Sequence, residues 1–248
     1  MKHVLLLAGT AEARQLAERL AEVKGVRVTA SLAGATSKPA ALAVPVRSGG
    51  FGGEDGLVRY VEAEDVAIIV DATHPFAARM SAHAAAAGRQ TGKPVVHLRR
   101  PEWRAQDGDN WRVVPDLASA AAALPTGARA FLGTGGGSAK DFMERTDTSL
   151  TLRTIEPPSA EIAPHIRGIT GRPPFDTEEE KALLLLIGAT HVVAKNSGGA
   201  GGYAKLAAAR ALRLPVIMVA RPPMPEGAET VGDVHAAVAQ VRQVLAPN

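Results

Sequence analysis

The sequence predicts an α/β fold in which mostly parallel sheets are covered by helices on both faces. Short apolar runs alternate with amphipathic stretches along the chain, which is typical of repeated strand–helix–strand units. The apolar runs are nearly continuous, as expected of strands that are buried on both faces. A strand followed by a glycine turn occurs at residues 8–10 and again at 132–137. Because this outline repeats, we expect two Rossmann-like domains.

The same patterns place the individual elements. The predicted strands are 4–8, 26–32, 66–70, 95–98, 130–132, 150–155, 191–194 and 216–220. The predicted helices are 11–23, 76–91, 177–187, 203–212 and 233–245. Turn-forming and alanine-rich stretches at 101–126 indicate a connector. We therefore predict a first domain at residues 1–110 and a second at 111–248, with strands that can cross between them.

Composition excludes several classes of function. The chain has 248 residues, of which 46% are hydrophobic and 21% are charged, so it can bury a core. It contains no cysteine, which excludes disulfides, thiolate metal sites and a cysteine nucleophile, and we expect no bound metal. The net charge of +3 favours an anionic ligand, whereas five Phe, two Trp and two Tyr are too few for a base-stacking nucleic-acid surface.

No apolar stretch is long enough to cross a membrane or to act as a signal peptide. The run at 4–8 is short and charged residues from Glu12 to Arg19 follow it, which indicates a strand leading into a helix. We therefore expect a cytoplasmic protein with no membrane or nucleic-acid partner. The sequence does not fix the oligomeric state, and a monomer is compatible with it.

The first glycine turn is a candidate dinucleotide site. Gly9, Thr10, Ala11 and Glu12 lie between the first strand and the first helix, where free backbone N–H groups and the helix dipole would face a pyrophosphate. The GxGxxG fingerprint is absent, and a plain strand-to-helix turn with a hydroxyl N-cap explains the same residues. This turn alone leaves both interpretations open.

The region after the second strand favours NADPH over NADH. No acidic residue occurs between Val23 and Gly53, although NAD enzymes usually place one there to hold the ribose 2′-hydroxyl. The window instead offers Ser37 and Lys38, and Gly50 lies in a glycine-rich loop that can cover a cofactor. The alternatives are an ordinary solvated lysine and a flexible linker.

A third polar segment follows the predicted strand at 66–70. Thr73, His74 and Pro75 lie where the strand ends, and ligands of parallel sheets bind at the carboxyl ends of strands. His74 is also the candidate catalytic acid or base, because an unperturbed histidine titrates near neutral pH. Protonation by solvent and a purely structural histidine are the alternatives.

Blocks of sequence at the start, middle and end of the chain resemble one known family. They are AGTAEAR at 8–14, DATHPFA at 71–77, KNSGG at 195–199 and PVIMVARP at 215–222. In this order and spacing they resemble the precorrin-6A reductase family of cobalamin biosynthesis, over nearly the whole chain. Ala8 and Ala13 depart from the pattern, because glycine is expected there in many relatives.

The resemblance implies two Rossmann-like domains with a ligand cleft between them and NADPH held mainly by the first. It further implies hydride transfer to precorrin-6A, an anionic tetrapyrrole-derived macrocycle, to give precorrin-6B. Cationic and polar residues at strand ends can pair with the carboxylates of such a substrate, although each is also explained as a solvated charge or a structural turn. The candidates are Arg99, Arg100, Lys195, Asn196, Ser197 and Arg221.

Two other functions stay open. One is an NADH-using cobalt-precorrin-6A reductase, which the acid-free region after the second strand disfavours. The other is a non-catalytic NADP(H)-binding sensor whose second domain recognises an effector. Nucleophile-elbow, HExxH and P-loop motifs are absent from the sequence, so hydrolase and kinase functions lack support.

Overall fold

The computed structural model describes residues 1–34, 40–157 and 162–246. The chain divides into two compact units. One comprises Met1–Pro101 together with Pro222–Asn248, and the other comprises Glu102–Arg221. Each unit is built on its own six-stranded parallel sheet, which confirms the predicted α/β class with two parallel-sheet units.

The first unit packs four helices against its sheet. Its strands are β1 (Lys2–Leu7), β2 (Val26–Leu32), β3 (Val46–Ser48), β4 (Val66–Asp71), β5 (Val95–Leu98) and β12 (Glu229–Val231). Its helices are α1 (Ala11–Ala21), α2 (Glu54–Ala63), α3 (Ala78–Thr91) and α7 (Val234–Leu245). The strand order is β12-β5-β4-β1-β2-β3, and all neighbours are parallel.

The second unit has the same strand arrangement. Its strands are β6 (Trp111–Val114), β7 (Arg129–Gly133), β8 (Ser149–Thr154), β9 (Ile166–Thr170), β10 (His191–Lys195) and β11 (Val216–Val219). Its helices are α4 (Leu117–Ala123), α5 (Thr177–Leu186) and α6 (Ala204–Ala211), with a 3₁₀ helix at Gly136–Phe142. The strand order is β6-β11-β10-β7-β8-β9, again with parallel neighbours.

Both sheets have a point at which the order of strands reverses. In the first unit it lies between β1 and β4, and in the second between β7 and β10. Successive crossovers leave in opposite directions from such a point, so a crevice opens at the carboxyl ends of the two strands. The fold therefore provides one candidate ligand position in each unit.

The units differ from the predicted division into residues 1–110 and 111–248. The first unit contains the chain up to Pro101 and again from Pro222 onwards, because β12 pairs with β5 and α7 packs on the first sheet. Ala237 and Val241 of α7 are buried in the core of that unit. The segment interpreted as a connector instead supplies β6 and α4 to the second unit.

Side chains of β1 alternate between two cores, one on each face of the first sheet. Val4 and Leu6 pack with residues of α1 and α7, whereas Leu5 and Leu7 pack with residues of α2 and α3. Full burial of each leucine contributes roughly 1.5–3 kcal/mol relative to exposure. Burial on both faces explains why this strand is continuously apolar.

Gly56 in α2 allows the loop before the helix to pack against it. A Cβ atom at this position would lie 1.7 Å from the carbonyl oxygen of Phe51, so the backbone would have to move. We expect Gly56→Ala to lower the free energy of unfolding by about 2–4 kcal/mol, because this overlap outweighs the higher helix propensity of alanine. Urea denaturation measures the change. Gly201→Ala is the matched control, since a Cβ there meets open space, and equal stability of the two variants would contradict the prediction.

Candidate functional site

Thr10 joins the two strand ends at the reversal point of the first sheet. Its hydroxyl oxygen accepts a hydrogen bond from the Ala13 N–H at 3.1 Å and donates to the Ala72 carbonyl oxygen at 3.0 Å. The first contact caps α1, and the second ties the start of that helix to the loop after β4. The geometry thus brings the predicted residues Gly9 to Glu12 next to the predicted segment at 73–75.

Asp71, the last residue of β4, is buried and holds the loop that follows it. Its Oδ1 accepts from the Thr73 N–H at 3.0 Å and from the Thr73 hydroxyl at 2.6 Å. Its Oδ2 accepts from the Ser81 hydroxyl at 2.6 Å and lies 2.9 Å from His97 Nδ1. Burial raises the pKa of the Asp71 carboxyl, but the hydrogen bonds from His97, Ser81 and Thr73 outweigh it and lower the pKa below its ordinary value. The group is therefore a carboxylate at neutral pH.

His97 is a member of this network that the sequence analysis missed. It lies opposite Asp71 in the register of β4 and β5, and its side chain is 2% exposed. Because Asp71 is a carboxylate, Nδ1 carries the proton and donates. The other ring nitrogen, Nε2, has no hydrogen-bond partner within the described residues. The sequence signal that could have identified this pair is that Asp71 and His97 are polar residues in two otherwise apolar strands.

Arg47 of β3 fixes the glycine-rich loop that contains the predicted residue Gly50. Its Nη1 donates to the Ser31 hydroxyl at 2.8 Å and to the Gly49 carbonyl at 3.0 Å, and its Nη2 donates to the Gly50 carbonyl at 3.1 Å. The guanidinium carbon lies 3.9 Å from the centroid of the Phe51 ring. This places a cation beside the ends of β2 and β3. Ser37 and Lys38, the candidate partners of a 2′-phosphate, lie outside the described residues.

The predicted cofactor residue Glu12 pairs with the predicted substrate residue Arg100. Arg100 Nη1 lies 2.6 Å from Glu12 Oε2, and both side chains line a cleft of about 930 Å³ along α1 and the start of α7. Arg99 Nη2 donates to the Pro222 carbonyl at 2.9 Å. His74 Nδ1 accepts from the Phe76 N–H at 3.2 Å, which sets the orientation of the imidazole ring.

In the second unit, hydrogen bonds of Asn196 hold Trp103 against the loop after β10. Asn196 Oδ1 accepts from the Trp103 N–H at 2.9 Å, and its Nδ2 donates to the Trp103 carbonyl at 3.1 Å. The indole Nε1 donates to the Gly199 carbonyl at 2.8 Å. Asn196, predicted as a substrate contact, therefore has a structural role, and its partner Trp103 is a residue that the sequence analysis did not single out.

The remaining predicted residues of the second unit lie around the same loop. The Arg221 side chain is 3% exposed, and its Nε donates to the Asn196 carbonyl at 2.7 Å and lies 3.9 Å from Glu102 Oε1. The Ser197 N–H donates to the Lys195 carbonyl at 2.7 Å, which tightens the turn. Burial lowers the pKa of Lys195, and the Asp141 carboxylate opposes this effect. The structure thus brings together the predicted set from 195 to 197 and Arg221.

A buried group of charges near this loop carries no local sequence signal. Arg153 and Glu180 form a two-point ion pair, with Nη2 3.0 Å from Oε2 and a second contact between Nη1 and Oε1. Lys205 of α6 is 7% exposed, and its Nζ donates to the Gly202 carbonyl at 2.5 Å. Burial and, to a smaller extent, Arg153 lower the pKa of Lys205, Glu180 opposes them, and the pKa lies at about 8.

The described residues contain neither a cluster of side chains that could hold a metal ion nor a helix that could span a membrane. Within 1–34, 40–157 and 162–246, no three or more His, Cys, Asp or Glu side chains are grouped so as to hold a metal ion. In the same part of the chain, no helix has both the length and the apolar character needed to span a bilayer.

The chain is similar to known proteins over both of its units. Residues 3–242 match the family described as precorrin-6x reductase CbiJ/CobK. The chain is 46% identical over 242 residues to the precorrin-6A reductase of Rhodococcus erythropolis, covering 97% of this chain and 98% of that one. It is 48% identical over 227 residues to the precorrin-6A reductase of Rhodobacter capsulatus, covering 91% and 90%. A solved structure of CobK precorrin-6A reductase superposes with a TM-score of 0.93 at 44% identity, covering 99% of this chain and 98% of that chain.

Proposed function

Because the chain belongs to the precorrin-6x reductase CbiJ/CobK family, we propose that it is an NADPH-dependent precorrin-6A reductase of cobalamin biosynthesis. The product is precorrin-6B, formed by reduction of one ring carbon–carbon double bond. The observation that carries the proposal is the 46% identity to a precorrin-6A reductase over 97% of the chain, which spans both units. NADPH supplies the hydride when it is bound, and the protein supplies binding, orientation and electrostatics.

The reversal point of the first sheet fits a dinucleotide. Thr10 caps α1 and ties it to the loop after β4, so the N–H groups at the start of α1 lie at the carboxyl edge of the sheet. The acid-free stretch between Val23 and Gly53 and the cation Arg47 fit a 2′-phosphate better than a bare ribose. The residues that would hold the cofactor are Gly9, Thr10, Ala11, Glu12, Ser37, Lys38, Gly50, Thr73, His74 and Pro75.

His74 is the proposed acid at this site. Its Nδ1 accepts a backbone hydrogen bond, so a proton that it delivers to the substrate leaves from Nε2. Thr73 and Asp71 hold the backbone on which His74 stands. The proposed contacts to the carboxylates of the macrocycle are Arg99, Arg100, Lys195, Asn196, Ser197 and Arg221.

The deciding experiment follows the loss of reduced-nicotinamide absorbance when precorrin-6A is added to the protein with NADPH. We expect oxidation that depends on precorrin-6A, is faster with NADPH than with NADH, and yields a product with the mass of precorrin-6B. Parallel reactions without substrate and with the cobalt-containing macrocycle are the controls. Tight NADPH binding without turnover would favour the sensor function, and turnover confined to NADH with the cobalt form would favour the other reductase.

The choice of NADPH is tested by removing the two candidate donors to its 2′-phosphate. The double variant Ser37→Ala/Lys38→Ala should weaken NADPH binding on the order of tenfold to hundredfold and leave NADH binding nearly unchanged, because only NADPH carries the 2′-phosphate. Isothermal titration with both cofactors measures this. Lys24→Ala, which removes a lysine that precedes β2, is the matched control. An equal loss for NADPH and NADH would show that these residues do not recognise the phosphate.

A further inference from the structure

The second unit contains a buried cation to which the proposed reaction gives no role. We propose that Lys205, with Trp103 beside it, forms a binding site for one carboxylate of the precorrin-6A macrocycle. This inference rests on the proposed function, since the carboxylate belongs to the proposed substrate.

Lys205 reaches the carboxyl edge of the second sheet. Its stem packs on Gly133, the last residue of β7, where a Cβ atom would lie 2.8 and 2.9 Å from Lys205 Cδ and Cε. A glycine at this position therefore makes room for the lysine. Since β7 borders the point where the strand order reverses, the ammonium lies where ligands of parallel sheets bind.

Within the described residues the Lys205 ammonium forms no ion pair of its own, and Glu180 offsets its charge only in part. The Glu180 carboxylate forms its two-point ion pair with Arg153. Within the described part of the chain, Lys205 Nζ donates its hydrogen bond to the Gly202 carbonyl oxygen. An ammonium has three N–H donors. The Trp103 ring, 5.1 Å from Nζ, offers a π face but no lone pair. A buried ammonium without an anion is unfavourable, so this position suits a carboxylate brought by a ligand.

Trp103 connects this cation to the loop proposed to contact the substrate. The same residue lies beside Lys205 and is hydrogen-bonded to Asn196 and to the Gly199 carbonyl. A Cβ at Gly202 would lie 3.2 Å from Lys205 Nζ and 3.3 Å from the Trp103 ring, so glycine keeps the space between them open. A carboxylate on Lys205 would therefore adjoin the loop after β10.

Binding of a carboxylate to Lys205 has a characteristic pH dependence. The pKa of the ammonium is lowered to about 8, mainly by burial. The charged groups that face it are Arg153 from β8, which lowers the pKa, and Glu180 from α5, which raises it. Because only the protonated form attracts a carboxylate, affinity for the macrocycle falls as the pH rises through this value.

The test is kcat/KM for precorrin-6A against pH at saturating NADPH, for the wild type, Lys205→Met and Lys205→Arg. In the wild type we expect kcat/KM to fall above pH of about 8, since this parameter reports the free enzyme. In Lys205→Met it should be lower on the order of tenfold to hundredfold at neutral pH, mainly through KM. The ratio of the wild-type kcat/KM to the Lys205→Met value should fall above pH of about 8, because loss of the proton from His74 affects both proteins alike. Lys205→Arg, which stays charged, should recover most of the loss, and its advantage over Lys205→Met should persist above that pH.

Two measurements separate this site from a merely structural lysine and from failure of the proposed function. The affinity for NADPH should be the same in Lys205→Met and the wild type, and Lys181→Met on α5 is the control for loss of a lysine. A Lys205→Met variant that keeps the wild-type KM, or a ratio of wild-type to Lys205→Met kcat/KM that does not change with pH, would overturn the carboxylate site alone. If the wild type itself fails to oxidise NADPH with precorrin-6A, the proposed function is what fails.

Discussion

Asp71→Ala is expected to lower the free energy of unfolding by about 3–5 kcal/mol. The substitution removes the acceptor of hydrogen bonds from Thr73, Ser81 and His97. His97 is then buried with both ring nitrogens unpartnered, since its Nε2 has no partner in the described structure even when Asp71 is present. Urea denaturation at neutral pH measures the loss. Asp55→Ala, at an acidic residue in the first turn of α2, is the matched control.

The Asp71→Ala substitution should also change the stability of the protein in acid and its affinity for NADPH. The folded-state pKa of Asp71 lies below its unfolded value of about 3.9, so its stabilisation is complete above that value and disappears as the pH falls through the lower folded pKa. In Asp71→Ala this part of the acid-induced loss should be absent. NADPH should bind more weakly, because Thr73 no longer has its anchor. Wild-type stability with an unchanged slope below pH of about 4 would be the contrary result.

Glu180→Gln is expected to destabilise the protein by a similar amount, about 3–5 kcal/mol. Glu180 is the carboxylate that pairs with Arg153 and partly offsets Lys205, so its neutralisation leaves two buried cations in one cluster. Glu178→Gln, on the same helix but 76% exposed, is the control and should change stability by less than about 0.5 kcal/mol.

A double variant tests whether the cluster acts as a unit. Adding Lys205→Met to Glu180→Gln removes one of the two uncompensated cations and should recover a substantial part of the lost stability. Thermal and urea unfolding of the four proteins in this cycle give the coupling between positions 180 and 205. Additive effects of the two substitutions would mean that the charges do not interact.

The sequence predicted the central strands of both sheets and missed the edges. The four strands it missed, β3, β6, β9 and β12, are the outermost strands of the two sheets. An edge strand pairs on one side only, so β3 and β12, of three residues each, form without an apolar run. The boundary between units was displaced for the same reason, because pairing of β12 with β5 is what returns the C-terminal segment to the first unit.

For the site, glycine turns and strand ends were predictable, and buried charge networks were not. Thr10 and Thr73 lie two and three positions after the ends of apolar runs, so position at a strand end alone marks them. Asp71 and His97 lie 26 positions apart, and Arg153 and Glu180 lie 27 apart, and their contacts arise only from folding. Lys205 stands among alanines in α6, where a lysine is usually solvated, and its burial depends on the missing Cβ of Gly133 in another element.

The return of the chain to the first unit affects the order in which the protein can be completed during translation. When residues 1–101 have left the ribosome, the first sheet still lacks β12. The core around α1 also lacks Ala237 and Val241 of α7. At about 5–20 residues per second, synthesis of the intervening segment takes roughly 6–24 s. The unit whose synthesis begins first is therefore completed last. In a nascent chain that ends before β12, or in a C-terminal truncation, the proposed nucleotide-binding unit lacks β12 and α7, whereas the residues of the second unit are all present.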